Sequence, residues 1–200
     1  MKLKYKIATL AAASVLNANA TTVIVDTTPA NNQANLSSAA GQTFTTATLG
    51  TDNLLSSVDV MGPQGGATAT VYTAEIWTDT DGDFATWDPG VLVAASTNSI
   101  AIDTVNTLHT FDFSNPSLSD STVYVVSFND GGTNHAGFRS GLTNEAADTI
   151  ADGALFSAGT QPFGGAFDMS MQITTTGIPE PSSLALLGLA GLGILRRRRK

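Results

Sequence analysis

In the segment His109-Thr110-Phe111-Asp112-Phe113, residues two apart share a face: the imidazole and both phenyl rings fall on one side, Thr110 and Asp112 on the other. This period predicts a half-buried β-strand, with His109 a partly buried structural residue rather than a base. Upstream, Val71-Tyr72-Thr73-Ala74-Glu75-Ile76-Trp77 keeps the same rhythm, Tyr72, Ala74 and Ile76 forming an apolar face opposite a mixed one. Downstream, Val123-Tyr124-Val125-Val126 has no polar interruption, as suits a strand covered on both faces. Further β-branched and aromatic runs, set apart by Gly, Pro, Asn and Asp, complete the expected strands at 22–26, 42–46, 54–61, 67–78, 91–96, 108–113, 122–128, 135–139 and 167–175. Between residues 21 and 177 a 3.6-residue apolar period is missing, although residues 144–151 can form a short helix. There is no fixed-period repeat, which disfavours a solenoid or propeller. Residues 27–41, rich in Asn, Ala and Ser, read as a loose arm. Many short strands with turn signals between them indicate an all-β sandwich or jelly roll.

A length of 200 residues suits one ordinary domain. The absence of Cys excludes a disulfide scaffold, a thiolate zinc site and a cysteine nucleophile. A net charge of −8 argues against nucleic acid as a partner. That charge is sharply partitioned. Of nine basic residues, Lys2, Lys4 and Lys6 open the chain, five close it, and only Arg139 lies between. Sixteen of the seventeen acids fall within residues 21–178, which therefore carry −15.

Residues 1–20, MKLKYKIATLAAASVLNANA, place three lysines before a short apolar run and end Ala18-Asn19-Ala20. This is the pattern of a secretory signal helix, cut by signal peptidase after Ala20. The acidic β-sandwich domain then spans 21–177. In an oxidising compartment, a chain without Cys must rest its stability on core burial.

At the other end, Pro179-Glu180-Pro181 precedes an apolar stretch from Leu184 to Leu195, then Arg196, Arg197, Arg198, Arg199 and Lys200. As a single hydrophobic helix, residues 182–195 reach about 21 Å, short of a roughly 30 Å hydrocarbon core. The cations supply the retention that length does not, since positive charge beside an apolar run stays cytoplasmic.

The order Pro-Glu-Pro, apolar stretch, basic cluster resembles the PEP-CTERM sorting signal of exported bacterial proteins, over residues 178–200. Similar tails also carry the label of an ice-binding protein C-terminal domain. The resemblance implies recognition of Pro179, Glu180 and Pro181 by an exosortase, a membrane-embedded transpeptidase-like enzyme. It makes 184–195 a transient transmembrane segment and the five terminal cations its stop-transfer anchor. It further implies a host that makes extracellular polysaccharide. The strand ending Glu75-Ile76-Trp77-Thr78-Asp79, with its acidic loop and the returning Asp88-Pro89-Gly90-Val91, is similar to a hairpin of choice-of-anchor β-sandwich domains. Gln42-Thr43-Phe44-Thr45 is similar to their opening strand. That resemblance, over roughly residues 40–175, implies fold rather than activity.

Asp79, Asp81, Asp83 and Asp88 lie within ten residues of one another. Two readings stand: a loop that gathers oxygen ligands for calcium, or a solvated hairpin loop whose aspartates favour turns. The EF-hand pattern fails, because Phe84 follows the third Asp. Trp77 and Trp87, with Tyr72 and Phe84, lie near this loop and form a candidate glycan site, or pack as core. Thr-x-Thr pairs at 43 and 45, 68 and 70, and 174 and 176 suit either an ice-binding face or plain β propensity. His135 follows a Gly-rich turn, but the motifs of serine hydrolases, zinc proteases and phosphate loops are missing from the sequence. Arg139, alone among sixteen acids, reads as an ion-pair partner or a clamp for a ligand carboxylate. These residues together read as a non-enzymatic exported protein, structural or adhesive in a polysaccharide matrix. A secreted carbohydrate-active hydrolase and an ice-binding protein are the alternatives.

Overall fold

The computed structural model describes residues 21–30, 32–62, 70–102, 107–144, 150, 153–162 and 167–177. The signal helix at 1–20, the helix at 182–195 and the sorting residues Pro179 to Lys200 lie outside them. Among the described residues, no helix is long and apolar enough to cross a membrane.

Among the described residues thirteen strands follow in order: β1 (Thr21–Asp26), β2 (Asn32–Asn35), β3 (Gly41–Thr45), β4 (Leu54–Met61), β5 (Val71–Asp79), β6 (Pro89–Ala95), β7 (Ile100–Ala101), β8 (Leu108–Asp112), β9 (Val123–Asn129), β10 (Arg139–Asn144), β11 (Leu155–Phe156), β12 (Phe167–Met169) and β13 (Met171–Thr176). All described pairings are antiparallel. One sheet runs β1-β13-β4-β8, and a second runs β11-β3-β9-β5-β6. Count only the eight long strands of these two sheets, β1, β3, β4, β5, β6, β8, β9 and β13. Their spatial orders are then first-eighth-third-sixth and second-seventh-fourth-fifth, the winding of a jelly roll.

The sheets meet through the faces that alternation predicted. Phe111 of β8 and Phe128 of β9 face each other with ring centroids 5.4 Å apart, and Tyr72 and Phe138 close on Phe128 edge-on. Leu55, Val58, Val60 and Ile173 on one sheet and Phe44, Ile76 and Val126 on the other are fully buried around them. β9 is buried on both sides from Val123 to Phe128, as its unbroken apolar run predicts. Its inner residues Tyr124, Val126 and Phe128 join the core, and its outer residues Val123, Val125 and Ser127 are buried as well.

A third, three-stranded sheet, β12-β10-β2, uses the segments between β1 and β3 and between β9 and β13. These leave the far ends of β1 and β9 and return to the near end of β13, so they cap the end of the barrel away from Thr21 and Thr176. Three expectations are corrected here. The loose arm at 27–41 contains β2, which gives the edge of β10 a hydrogen-bonding partner from Arg139↔Asn35 to Leu142↔Asn32. The strand expected at 135–139 begins only at Arg139, because His135 sits in a turn with φ 51°. The strand expected at 167–175 is two strands, broken at Ser170, whose N–H turns to the Gly141 carbonyl while its own carbonyl accepts from Met61. Asn144 closes β10, and 145–149 lie outside the described residues.

Candidate functional site

The outer face of the larger sheet carries one lateral row, Phe156–Gly41–Ser127–Glu75–Ala95, fixed by the pairing register. Polar residues on this face are covered: Ser127 is 0% and Glu75 5% exposed. The Glu75 carboxylate accepts the Trp77 indole N–H at 3.1 Å and the Asn129 amide at 3.2 Å, one donor per oxygen. The Asn129 amide also donates to Asn134 Oδ1 at 2.6 Å. The left-handed backbone of His135 swings its ring back over the sheet, placing Nδ1 2.8 Å from Ser127 Oγ. Its imidazole lies between the two indoles, 4.8 Å from Trp77 and 5.4 Å from Trp87 between centroids. Burial pushes the His135 pKa below its ordinary value, and the nearby Glu75 charge opposes that shift.

The acidic loop from Asp79 to Asp88 folds back across the same face. Trp87 lies over Gly41, two of its ring carbons 3.0 and 3.1 Å from where a Cβ would stand, and packs against Phe156 at 5.4 Å. Thr43 Oγ1 donates to the Phe84 carbonyl at 2.8 Å, and the Gln161 amide donates to the Ala85 carbonyl at 3.2 Å. A Cβ at Gly41 would also lie 2.4 Å from the Val126 carbonyl oxygen, so the backbone itself demands glycine there.

Within the loop, the aspartates serve the turn. Asp79 Oδ1 accepts the Gly82 N–H at 2.7 Å, Asp81 Oδ1 the Asp83 N–H at 2.9 Å, and Asp83 Oδ1 the Ala85 N–H at 2.9 Å. The Thr86 hydroxyl also contacts the Asp81 carboxylate. Asp88 is exposed, and its carbonyl receives the Thr80 N–H. Burial raises the Asp79 pKa, whereas the Asp83 N–H lowers that of Asp81. Among the described residues, no three His, Asp or Glu side chains are grouped as a metal ion would need. Of the sequence-derived candidates, Trp77 and Trp87 are brought together, through His135, and Arg139 sits apart on β10 beside β2. Glu75, Ser127 and Asn129 complete the cluster and were not among those candidates. His135 presents Nδ1 to Ser127, whereas a Ser-His-acid triad directs Nε2 at the serine. The arrangement ties a turn to the sheet over the buried Ser127.

The second region of interest is where the chain leaves the fold. Thr21, the first residue of β1, pairs with Thr176, the last of β13. Thr22 Oγ1 donates to Asp52 at 2.9 Å, and Gly177 is buried against the same Asp52. From Gly177 onward, residues 177–200 match the PEP-CTERM protein-sorting motif.

The tail is a PEP-CTERM sorting signal.

This signal marks an exported protein that is anchored in the membrane while an exosortase-type enzyme handles it and that is then found at the cell surface. Among curated proteins and solved structures nothing matches the chain.

Proposed function

We propose that this PEP-CTERM protein is a non-enzymatic structural or adhesive module of a surface polysaccharide matrix, contacting glycan through Trp77. The observation that carries this reading is the placement of Trp77. Its partly exposed indole stands on the outer face of the sheet, oriented by Glu75 and next to Leu92, which is 42% exposed across the strand pair. An aromatic plate with an apolar neighbour and nearby amides, Asn129 and Asn134, supplies the stacking surface and polar contacts that sugar rings use. Trp87, packed over Gly41, is linked to it through the His135 ring. The rigid sheet beneath keeps the plate in place without ordering on binding.

The test is retention of the folded domain on the producing cell's own extracellular polysaccharide. Wild type is retained, and Trp77→Ala, with an unchanged fold by circular dichroism, loses about tenfold or more of its affinity. Equal retention of both proteins, or of neither, refutes the glycan contact.

A further inference from the structure

The surroundings of Trp77 bear on the charge of the glycan it can take. The pairing register fixes a lateral row Thr43–Val125–Trp77–Leu92 on the outer face of the larger sheet. Thr43, two strands away from Trp77, holds the acidic loop by donating to the Phe84 carbonyl. At about 4.8 Å per strand, that anchor stands roughly 10 Å from the Trp77 backbone. A second acidic turn is tied to the indole more directly. The Glu75 carboxylate that accepts the Trp77 N–H also accepts the Asn129 amide, and Asp130 is the next residue in the chain.

Asp81 and Asp83 in the loop and Asp130 in the turn are all exposed. Neutral backbone N–H groups orient them: Asp83 donates to Asp81, Ala85 to Asp83, and Gly132 and Thr133 to Asp130. Bonds of this kind fix a carboxylate without cancelling its charge. Cations are scarce by comparison. Between Lys6 and Arg196 the sole Lys or Arg is Arg139, which opens β10 in the third sheet.

A glycan bearing carboxylate, sulfate or phosphate groups would meet this field with one guanidinium in the whole domain to pair with, and the anchors lie within about a Debye length of the plate. An uncharged glycan would stack on the indole and make no use of the field. A sugar with a free amine uses both, since an ammonium is drawn to the face of an indole as well as to carboxylates. The indole is the site, and the aspartates select its ligand.

We propose that the glycan held at Trp77 is an amine-bearing one, a hexosamine polymer whose nitrogen is free rather than acylated, with Asp81, Asp83 and Asp130 drawing its ammonium groups to the plate. This rests on Trp77 being the glycan contact. It adds a ligand class and turns polyanionic glycans away from the site.

The experiment measures retention of the cell-surface form on the producing cell's own extracellular polysaccharide, untreated and after its free amines are acetylated with acetic anhydride. Wild type is compared with Trp77→Ala and with a triple variant, Asp81→Asn, Asp83→Asn and Asp130→Asn, whose amide oxygens still accept the N–H groups of their turns. Acetylation of the polymer weakens wild-type binding about tenfold or more. The triple variant binds the untreated polymer about fivefold or more weaker than wild type, and raising the salt to about 0.5 M removes most of the wild-type preference. If acetylation leaves wild-type retention unchanged or improves it while Trp77→Ala still loses it, the amine is refuted and the glycan contact stands. If Trp77→Ala is retained as well as wild type, or neither is retained, the glycan contact itself fails, and the amine with it.

Discussion

Replacing Gly41 by Ala tests whether the acidic loop is packed down on the sheet. Gly41 lies in β3 on extended backbone, so alanine brings no φ strain. Its methyl would overlap the Val126 carbonyl oxygen and approach two Trp87 ring carbons at 3.0 and 3.1 Å. The carbonyl belongs to the central strand β9 and has nowhere to go, so the cost falls near the top of the usual overpacking range, about 3 kcal/mol. Alanine's narrower unfolded ensemble returns roughly 0.4–1 kcal/mol. The net loss is therefore about 2 kcal/mol, or roughly 4–8 °C in melting temperature for a domain of this size. Near-ultraviolet circular dichroism reads both the melt and the indole environment, because the chain has only two tryptophans. In a Trp87→Ala background the ring half of the clash is gone, so the second substitution costs less by about 0.5 kcal/mol or more. A Gly41→Ala penalty that is the same with and without Trp87 would refute the packing of Trp87 on β3.

Phe128 touches Phe111, Tyr72 and Phe138 at the centre of the sandwich, so Phe128→Ala should cost about 3–5 kcal/mol by denaturant titration. His135 binds its proton less readily in the folded state than in the unfolded one, whose ordinary value is 6.5. The unfolded chain therefore gains protons first as pH falls. Stability should drop on going from above that ordinary value to below the depressed folded value, then level off, and His135→Gln should remove this step from a melting series. Because no three His, Asp or Glu side chains are grouped for a metal ion among the described residues, added calcium should leave the melting temperature unchanged, and a marked rise would refute that reading of the loop.

β5 and β8 were legible because each has one apolar face and a clear period, as Phe111, Tyr72 and Ile76 illustrate, and β9 because its apolar run is unbroken. β2 was not: Asn-Gln-Ala-Asn has no period and a single small apolar residue, and its partner is the edge of β10. His135 looked like the start of a strand, since φ above zero at a non-glycine residue leaves no trace in composition. The outer-face cluster was out of reach for a different reason. Glu75, Ser127 and His135 are brought together by register across β5 and β9 and by a turn, and register depends on the whole sheet. A hint existed, in that Glu75 and Ser127 each interrupt an apolar run, which marks a polar group that must find partners when covered. The tail was legible entirely from sequence, because its function lies in the order of three features along the chain rather than in any fold.

The assignment of the protein to the exported, exosortase-sorted class is tested most directly by fractionating producing cells and weighing the intact protein from each fraction. With Pro179, Glu180 and Pro181 in place, the account predicts a cell-surface form that lacks the 1–20 segment and has left the membrane fraction. With the three replaced by Ala, it predicts accumulation in the membrane with the basic tail still attached. Full-length polypeptide in the cytosol, or the same distribution with and without the motif, would contradict it.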